Sequence, residues 1–418
     1  MTDQHHVVVV GGGFGGLSCV NEIRGRRDIR ITLIDQKNHH LFQPLLYQVA
    51  TTILPTSDVA WPLRRLVRKC KNVTTLMAEV SGVDKDAKTV SLSNGDTIAF
   101  DSLVLATGAR HSYFGNDHWE EYAPGLKTLE DAIKIRRRIL SAFEKAELAT
   151  TDEERKAHQT FAIIGAGPTG VELAGIIAEL AHSVLPKEFR RIDTRRTRVL
   201  LIEGGDRILR ALPEDLSNHA AKALKKLGVD ILTDHRVTDI NAEGVQANDK
   251  FIRSHTAIWA AGVRASKAAE WLDIEADRAG RAVVTETLNV PDSENIFVVG
   301  DTASVMDDKG NPVPGIAPAA KQQGKYVGKL IKNQIKGKET KPFKYSHAGN
   351  LATIGPSEAV IDFGWTKLRG TIGWWVWGLA HIYFLIGNRS RMAVSISWIW
   401  AYVSGQRSAR LITQVPKD

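Results

Sequence analysis

The chain has 418 residues, of which 43% are hydrophobic and 24% are charged, a composition that excludes a disordered or fibrous protein. Its formal charge of +8 allows three kinds of partner: nucleic acid, an anionic membrane surface and anionic cofactors. The two cysteines, Cys19 and Cys70, lie far apart, so they predict neither a disulfide framework nor a zinc site. No basic and apolar leader precedes the first predicted strand, so we expect the chain in the cytoplasm or on the cytoplasmic side of a membrane.

Residues 7–16 combine an apolar strand, Val-Val-Val-Val, with the G-x-G-x-x-G turn of a dinucleotide site. In such a turn Gly11 allows the tight bend, Gly13 admits the phosphates, and Gly16 lets the next helix pack closely. The N-terminus of that helix offers free N–H groups and the positive end of its dipole to a pyrophosphate. A second strand ends at Asp35, near the distance of about 20 residues expected for an acid that binds a ribose hydroxyl. Together these features predict a dinucleotide site.

Residues 38–50 are too apolar for a solvent-exposed loop, and Pro44 interrupts a helix there. The segment is typical of a wall over a planar cofactor, and core packing with His39 and His40 at its edge is the alternative. Beyond a predicted basic helix over 61–71 and several short strands, a buried strand ends in Ala-Thr-Gly at 106–108. Small residues at that position leave room for a ligand or simply form a tight turn.

The strand–turn–helix pattern recurs over 160–174, after a charged helical region to which we assign no chemistry. Its second strand ends at Glu203. Two complete units predict two dinucleotides, as an enzyme that passes electrons between nicotinamide and flavin requires. A carboxylate at Glu203 accepts hydrogen bonds from a ribose diol and repels a 2′-phosphate, which favours NADH over NADPH, although the nearby Arg207 weakens that preference.

Three further features each allow two interpretations. Glu172, placed in the first turn of the second unit's helix, either complements the helix dipole or lies near the nicotinamide or on a proton path. Asp301 either caps a helix or binds the ribityl chain of a flavin. The small and amide-bearing residues of 315–326 suit contact with a flat ring and also ordinary helix packing.

The C-terminal residues 364–417 contain no Asp or Glu but hold several Lys and Arg residues and most of the tryptophans. Two apolar segments, 372–387 and 392–403, are too short to cross a hydrocarbon core of about 30 Å at about 1.5 Å per residue. Tryptophan-rich apolar faces flanked by basic residues predict association with a membrane surface, and a core or dimer-interface helix pair is the alternative. Nucleic-acid binding is not expected, because the basic residues flank apolar runs instead of lining a polar groove.

With these motifs the chain resembles the type II NADH:quinone oxidoreductases, single-subunit flavoproteins that do not pump protons. The most specific parts of the resemblance are His39-His40-Leu41-Phe42-Gln43-Pro44-Leu45-Leu46-Tyr47-Gln48-Val49-Ala50 and Gly378-Leu379-Ala380-His381-Ile382-Tyr383-Phe384-Leu385-Ile386-Gly387. It implies an α/β fold of two Rossmann-like dinucleotide-binding domains plus a C-terminal membrane-associating helical region. The expected domains are residues 1–117 with 287–345 for FAD, 118–286 for NADH, and 346–418 for the membrane.

The resemblance also implies tightly bound FAD, NADH as a substrate, a membrane quinone as acceptor, and no metal. The expected FAD contacts are Gly11, Gly13, Phe14, Gly15, Gly16, Asp35, Gln36, His39, His40, Val80, Thr107, Gly108, Gly300, Asp301 and Ala319. The expected NADH contacts are Gly165, Gly167, Pro168, Thr169, Gly170, Glu172, Glu203, Ala261 and Gly262. The expected quinone contacts are Leu45, Leu46, Tyr47, Pro318, Gln322 and Gln323.

Under this hypothesis NADH gives a hydride to the flavin, and the quinone then takes two electrons and two protons, with Glu172 as the catalytic proton source. Many relatives have Ala-Gln where this chain has Ala317-Pro318, so the hydrogen bond of that glutamine is absent or replaced here. The protein is expected to be a homodimer, peripheral on the cytoplasmic face of the inner membrane. The rival hypotheses are a soluble reductase of a protein carrier and a membrane-attached NADH sensor without turnover. A thiol-linked reductase would need paired cysteines.

Overall fold

A computed structural model describes residues 4–407 and 409–412. The strands are β1 (His5–Val10), β2 (Ile29–Asp35), β3 (His39–Leu41), β4 (Ala60–Pro62), β5 (Val73–Met77), β6 (Val80–Asp84), β7 (Thr89–Leu92), β8 (Thr97–Ala99), β9 (Ser102–Leu105), β10 (Ala109–His111), β11 (Thr160–Ile164), β12 (Arg198–Ile202), β13 (Val229–Leu232), β14 (Val237–Asn241), β15 (Gly244–Ala247), β16 (Lys250–Arg253), β17 (Thr256–Trp259), β18 (Val263–Ala265), β19 (Ala282–Val283), β20 (Ile296–Val298), β21 (Ala303–Ser304), β22 (Asn350–Thr353), β23 (Ala359–Asp362) and β24 (Lys367–Arg369).

The α-helices are α1 (Phe14–Ile23), α2 (Leu46–Ala50), α3 (Thr56–Val59), α4 (Leu63–Val67), α5 (Leu129–Leu148), α6 (Asp152–His158), α7 (Pro168–Glu179), α8 (Glu214–Lys226), α9 (Ala268–Leu272), α10 (Ala317–Ile335), α11 (Gly370–Phe384) and α12 (Asn388–Ser404). Short 3₁₀ turns cover Gln43–Leu45, Asp117–Glu121, Thr194–Arg196 and Gly300–Thr302, and a π-helical turn covers Leu180–Val184. The described chain divides into two compact units.

The first unit takes in the chain as far as Leu41 together with Ala60–Arg110 and Val263–Ala348. At its centre is a parallel five-stranded sheet in the order β20-β9-β1-β2-β5. The valines of β1 are buried, as expected for a parallel sheet that is covered on both faces. The predicted strand before the first glycine turn and the second strand that ends at Asp35 are confirmed.

Helices α1 and α10 of this unit approach each other so closely that glycine is required at their contact. A Cβ added to Gly324 of α10 would lie 2.0 Å from the carbonyl oxygen of Gly15 in α1. A Cβ added to Gly16 would lie 1.8 Å from the carbonyl oxygen of Gly11, at the start of the turn. The positions of α10, α1 and the glycine turn are therefore coupled through backbone contacts.

The second unit takes in Phe42–Val59, His111–Gly262 and the chain from Gly349 onward. Its parallel sheet has the order β13-β12-β11-β17. β11 leads into the second glycine turn, α7 begins at Pro168, and β12 ends directly before Glu203, which confirms the predicted repeat. A second, antiparallel sheet contains β14, β15 and β16.

The C-terminal part of the second unit contains the antiparallel sheet β22-β23-β24 and the helices α11 and α12. These helices cover the two apolar segments found in the sequence. None of the helices within residues 4–407 and 409–412 has the length and apolar character needed to span a membrane.

The basic helix predicted over 61–71 is wrong in its extent. Trp61 belongs to β4, which pairs with β3, and only Leu63–Val67 is helical. A residue before proline is disfavoured in the helical conformation, so Pro62 keeps Trp61 extended and available for pairing. The domain boundaries drawn from the sequence stay predictions.

We expect Gly324→Ala to lower the melting temperature of the protein. Alanine normally favours a helix by about 1 kcal/mol, but overpacking costs about 1–3 kcal/mol, and backbone atoms at 2.0 Å cannot rotate away. For a unit of this size each kcal/mol corresponds to about 2–4 °C. Differential scanning calorimetry checks this. Gly82→Ala is the control, because a Cβ there meets nothing within 4 Å. Equal melting temperatures for Gly324→Ala and the wild type would contradict the packing argument.

Candidate functional site

The first glycine turn has a tight bend and an open front. Gly11 has φ of +104°, and a Cβ there would lie 2.2 Å from the carbonyl oxygen of Ala106, so the bend requires glycine. At Gly13 an added Cβ would meet nothing within 4 Å. The turn therefore leaves space beside the N-terminus of α1, where a pyrophosphate would bind.

Asp35 closes this turn from the end of β2. Its Oδ2 accepts a hydrogen bond from the Gly12 N–H at 2.5 Å, and its Oδ1 accepts from the Lys37 N–H at 2.7 Å. Burial raises the pKa of Asp35, and these two bonds oppose that rise. Each carboxylate oxygen keeps a lone pair for a further donor, so the residue can still accept a ribose hydroxyl.

His40 lies against the same turn and carries an unsatisfied acceptor. Its Nδ1 lies 2.9 Å from the Gly12 carbonyl oxygen and must donate to it, and its ring packs edge-on against Phe14 at 5.0 Å. Burial lowers the pKa of His40 to about 4, so the ring is neutral at pH 7. Its buried Nε2 is then an acceptor without a partner among the described residues. That orphaned atom fits FAD, because the sugar and ribityl hydroxyls of FAD are donors.

Further predicted FAD residues meet at the carboxyl ends of β9 and β20, which are neighbours in the sheet. The Thr107 hydroxyl lies 2.5 Å from the Ser266 hydroxyl, and Thr302 donates to the Gly108 carbonyl oxygen at 2.8 Å. The Gly300 N–H donates to Gln323 Oε1 at 2.6 Å. The carboxyl ends of parallel strands are where such sheets bind ligands, so this edge suits the cofactor.

The other predicted FAD residues occupy less distinctive positions in the first unit. Gln36 donates to Glu79 at 3.3 Å, and His39 hydrogen-bonds to Asn38 at 3.0 Å. Val80 and Ala319 are buried. Asp301 lies in the 3₁₀ turn that follows β20. Their contacts with FAD stay predictions.

The second glycine turn repeats the arrangement of the first. Gly165 has φ of +100°, a Cβ at Gly167 would meet nothing within 4 Å, and Pro168 is at the start of α7. Glu203 Oε2 accepts from the Ala166 N–H at 2.8 Å, and its Oε1 accepts from the Gly205 N–H at 2.9 Å. The bond between Ala166 and Glu203 corresponds to the bond between Gly12 and Asp35 in the first unit.

The rest of the predicted NADH residues surround this turn. Gly170 contacts the Gly165 backbone, Thr169 lies in the first turn of α7, and Ala261 and Gly262 follow β17. The guanidinium of Arg207 donates to the carbonyl oxygens of Leu212 at 2.9 Å and Arg210 at 3.2 Å. Backbone carbonyl oxygens therefore hold the Arg207 guanidinium in place.

The position expected for Glu172 is wrong in one respect. No acidic residue lies in the first turn of α7, because that helix begins at Pro168 and Glu172 is in its second turn. The helix dipole acts within the first turn, so the dipole interpretation loses its basis. Glu172 is instead buried, and burial raises its pKa well above the usual value although the Thr353 N–H donates to it. Burial therefore favours the protonated, uncharged form of this carboxyl group.

A chain of hydrogen bonds lies beside Glu172 in the second unit. The Tyr47 hydroxyl lies 3.0 Å from the Thr353 hydroxyl, Gln48 donates to Tyr47 at 3.2 Å, and Trp398 Nε1 donates to Gln48 at 2.7 Å. Burial raises the pKa of Tyr47. This network joins α2, β22 and α12, and sequence spacing gave no sign of Thr353, Gln48 or Trp398.

A cavity of about 80 Å³ adjoins this network. Its lining includes Tyr47, Trp374, Trp377 and Arg407. Arg407 is buried, forms an ion pair with Glu179 at 2.9 Å, and donates to the Thr51 carbonyl oxygen at 3.0 Å. The cavity can hold several water molecules, so it can connect polar groups by hydrogen bonds.

The predicted quinone residues divide between the two units. Leu45, Leu46 and Tyr47 are buried in the second unit. In the first unit Gln322 binds the Ser346 backbone through both amide atoms, at 2.8 and 2.9 Å. Pro318 lies in the first turn of α10, a position that suits proline because its missing N–H would have no helical partner. Contacts of these residues with a quinone stay predictions.

Residues 5–324 match the family model described as pyridine nucleotide-disulphide oxidoreductase, and residues 347–407 match the NDH2 C-terminal domain. A type II NADH:quinone oxidoreductase of Mycobacterium tuberculosis is 41% identical over 98% of this chain and 90% of its own length. The chain belongs to the type II NADH:quinone oxidoreductases. The expected family membership is thereby confirmed, and FAD is the usual cofactor of such enzymes.

Other type II NADH:quinone oxidoreductases and related structures agree with this assignment. A relative from Staphylococcus haemolyticus is 30% identical over 86% of this chain and 89% of its own length. NDH2 from Plasmodium falciparum, solved in complex with NADH, has a TM-score of 0.87 at 20% identity, covering 98% of this chain and 100% of its own. A sulfide:quinone oxidoreductase of Aquifex aeolicus has a TM-score of 0.73 at 19% identity, covering 96% and 95% of the two chains. The predicted fold class is confirmed.

We expect Glu203→Gln to lower the preference for NADH over NADPH. A charged acceptor strengthens a hydrogen bond by an amount that corresponds to about a 10-fold change in kcat/KM, and it repels a 2′-phosphate. Steady-state kinetics with both nucleotides measures the ratio. Asp230→Asn is the control, since it removes an exposed charge from the same sheet at the opposite end of the strands. An unchanged ratio in Glu203→Gln would show that Glu203 does not select the nucleotide.

Proposed function

We propose that the protein oxidises NADH and passes two electrons through FAD to a membrane quinone without pumping protons. Membership of the type II NADH:quinone oxidoreductases supports the overall reaction. The observation that carries the assignment of two nucleotides is the pair of open glycine turns, each closed by its own carboxylate. A soluble reductase of a protein carrier would not need the tryptophan-rich helices, and a sensor without turnover would not need two complete sites.

In this proposal the first unit holds FAD and the second binds NADH. When bound, FAD supplies the two-electron chemistry between the nicotinamide and the quinone. Asp35 accepts a ribose hydroxyl, the N-terminus of α1 binds the pyrophosphate, and His40 Nε2 accepts a further hydroxyl. Glu203 accepts the ribose diol of NADH, and the N-terminus of α7 binds its pyrophosphate.

Reduction of the quinone also needs protons, and Glu172 is the proposed donor. The overall reaction converts NADH, one proton and quinone into NAD⁺ and quinol. Burial raises the pKa of this carboxyl group, which favours its protonated form, and the group can release the proton when a stronger base forms nearby. Tyr47, Thr353 and the adjoining cavity offer a hydrogen-bonded route by which water returns a proton to Glu172.

We expect Glu172→Gln to reduce its flavin with NADH at the wild-type rate but to reoxidise it slowly with a quinone. General acid catalysis contributes about 100-fold or more, so the second half-reaction should slow to that extent. Anaerobic stopped-flow absorbance separates the steps: NADH bleaches the flavin, and a water-soluble quinone restores it. In the wild type the reoxidation rate should fall as pH rises through the raised pKa of Glu172, because the active form is protonated. The variant should lack that fall.

The exposed residue Glu144 provides a control variant, Glu144→Gln, which should behave as the wild type. Reoxidation that is unchanged in Glu172→Gln across pH would remove Glu172 from the proton path. Wild-type flavin that NADH bleaches but quinone does not restore would overturn the proposed function itself.

We also propose that α11 and α12 attach the protein to a membrane surface. On α11 the side chains of Ile372, Trp375, Leu379 and Tyr383 are 61–71% exposed and follow one face, whereas Trp377 on the other face is 2% exposed. Monomeric soluble proteins rarely expose a contiguous apolar face of this kind. Tryptophan and tyrosine with flanking basic side chains suit the headgroup region of a bilayer. The proposal includes the cytoplasmic face of the inner membrane and a homodimer.

We expect the double variant Trp375→Ser with Leu379→Ser to bind vesicles at least about 10-fold more weakly than the wild type. Each exposed side chain contributes about 1.5–3 kcal/mol when it leaves water. Co-sedimentation with vesicles that contain anionic lipid measures the binding. The control is Leu148→Ser with Phe251→Ser, two exposed apolar side chains elsewhere in the second unit. If vesicle binding is unchanged and analytical ultracentrifugation shows loss of a dimer, these helices form a dimer interface instead.

A further inference from the structure

Two histidines and a glutamate converge in the second unit, away from every residue assigned above. Glu154 and His158 lie one turn apart on α6, and His255 directly precedes β17. Their ligand atoms all lie within 4.8 Å of one another. Glu154 Oε2 is 3.2 Å from His255 Nε2 and 3.9 Å from His158 Nε2. Tetrahedral zinc with bonds of about 2.1 Å separates its ligand atoms by about 3.4 Å.

We propose that Glu154, His158 and His255 form a binding site for zinc, with water as the fourth ligand. Two imidazoles and one carboxylate are a ligand set that zinc accepts in proteins. Other divalent ions that favour imidazole, such as nickel and copper, share this chemistry, whereas magnesium does not. The sequence predicted no metal site, so this inference departs from that expectation.

The orientation of His255 supports a cation between these residues. Its Nδ1 lies 3.1 Å from the Ala242 carbonyl oxygen, which can only accept, so Nδ1 carries a proton. Such a bond from the second ring nitrogen to a backbone carbonyl is typical of metal-bound histidines. The other nitrogen, Nε2, faces the Glu154 carboxylate, which also only accepts. A positive charge is therefore needed there, as a second proton or as a metal ion.

The contact between the rings of His158 and His255 also supports a metal ion at this position. The His158 ring packs 4.6 Å from that of His255, so two protonated rings would repel each other. One metal ion between the two rings would satisfy both histidines and the carboxylate together without two neighbouring positive rings.

The charged groups around the site leave one glutamate oxygen available. Arg253 binds Glu154 through Oε1 at 2.7 Å, which leaves Oε2 to the histidines. Arg253 is also within 4.0 Å of Glu153 and 3.8 Å of Glu243.

The position of the site indicates a structural role. His158 lies just before β11 and His255 just before β17, and these two strands pair with each other. The glycine turn for NADH is at the other end of β11, about 16 Å away along a strand of five residues. A metal ion would thus join α6 to the amino end of β17 and stabilise the sheet without touching the nucleotide.

The test uses the full-length, FAD-loaded protein without a metal-binding tag, and zinc chloride alone as the probe. Isothermal titration calorimetry should give one zinc per chain, and zinc K-edge absorption should show two imidazole ligands. Glu154→Gln and His255→Ala should each weaken binding by more than about 10-fold. Glu153→Gln and His118→Ala, which remove a neighbouring carboxylate and an exposed imidazole, should bind as the wild type. Binding should weaken as the pH falls, because protons compete with zinc for its ligands.

Thermal unfolding provides a readout that separates metal binding from folding. Zinc should raise the melting temperature of the wild type and of both controls, and should not raise that of Glu154→Gln or His255→Ala. The comparison is between each variant with and without zinc, so a variant that is less stable still gives an answer. The absence of stoichiometric binding, or equal binding by all four variants, would overturn the proposal.

Discussion

Both proposed nucleotide sites depend on one interaction, the hydrogen bond between the glycine turn and the carboxylate at the end of the second strand. Asp35 and Glu203 each bind the N–H of the residue that follows the first glycine of the turn, at 2.5 and 2.8 Å. A charged acceptor makes this a strong hydrogen bond, so it fixes the turn relative to the neighbouring strand. The same carboxylate keeps lone pairs for a ribose. One side chain therefore shapes the turn and, in the proposed function, also recognises the ribose.

Much of the fold could be predicted because its signals are local. The apolar strands, the two glycine turns and the acids that end β2 and β12 lie within short segments whose order defines the dinucleotide fold. The extent of α4 could not be predicted, because pairing of Trp61 with His40 holds that segment in β4. Helix propensity is weaker than a strand pairing of this kind.

The sites were less predictable where their residues come from distant parts of the chain. The adjacent glutamines Gln322 and Gln323 of α10 suggested ligand contacts, yet Gln323 binds Gly300 and Gln322 binds the Ser346 backbone. The neighbours of Glu172 come from α2 and β22, far away in sequence. Only two of the three proposed zinc ligands have helical spacing, because His255 joins them through the parallel pairing of β11 and β17. Such contacts depend on tertiary structure, and no local pattern encodes them.

The central claim is that the first turn holds FAD permanently while the second binds a nucleotide that exchanges. The most direct measurement is the flavin absorbance that remains after desalting of Asp35→Ala and Glu203→Ala variants. Loss of the Asp35 carboxylate should release most of the FAD, whereas Glu203→Ala should retain as much as the wild type. Retention of FAD by Asp35→Ala together with its loss from Glu203→Ala would contradict the account.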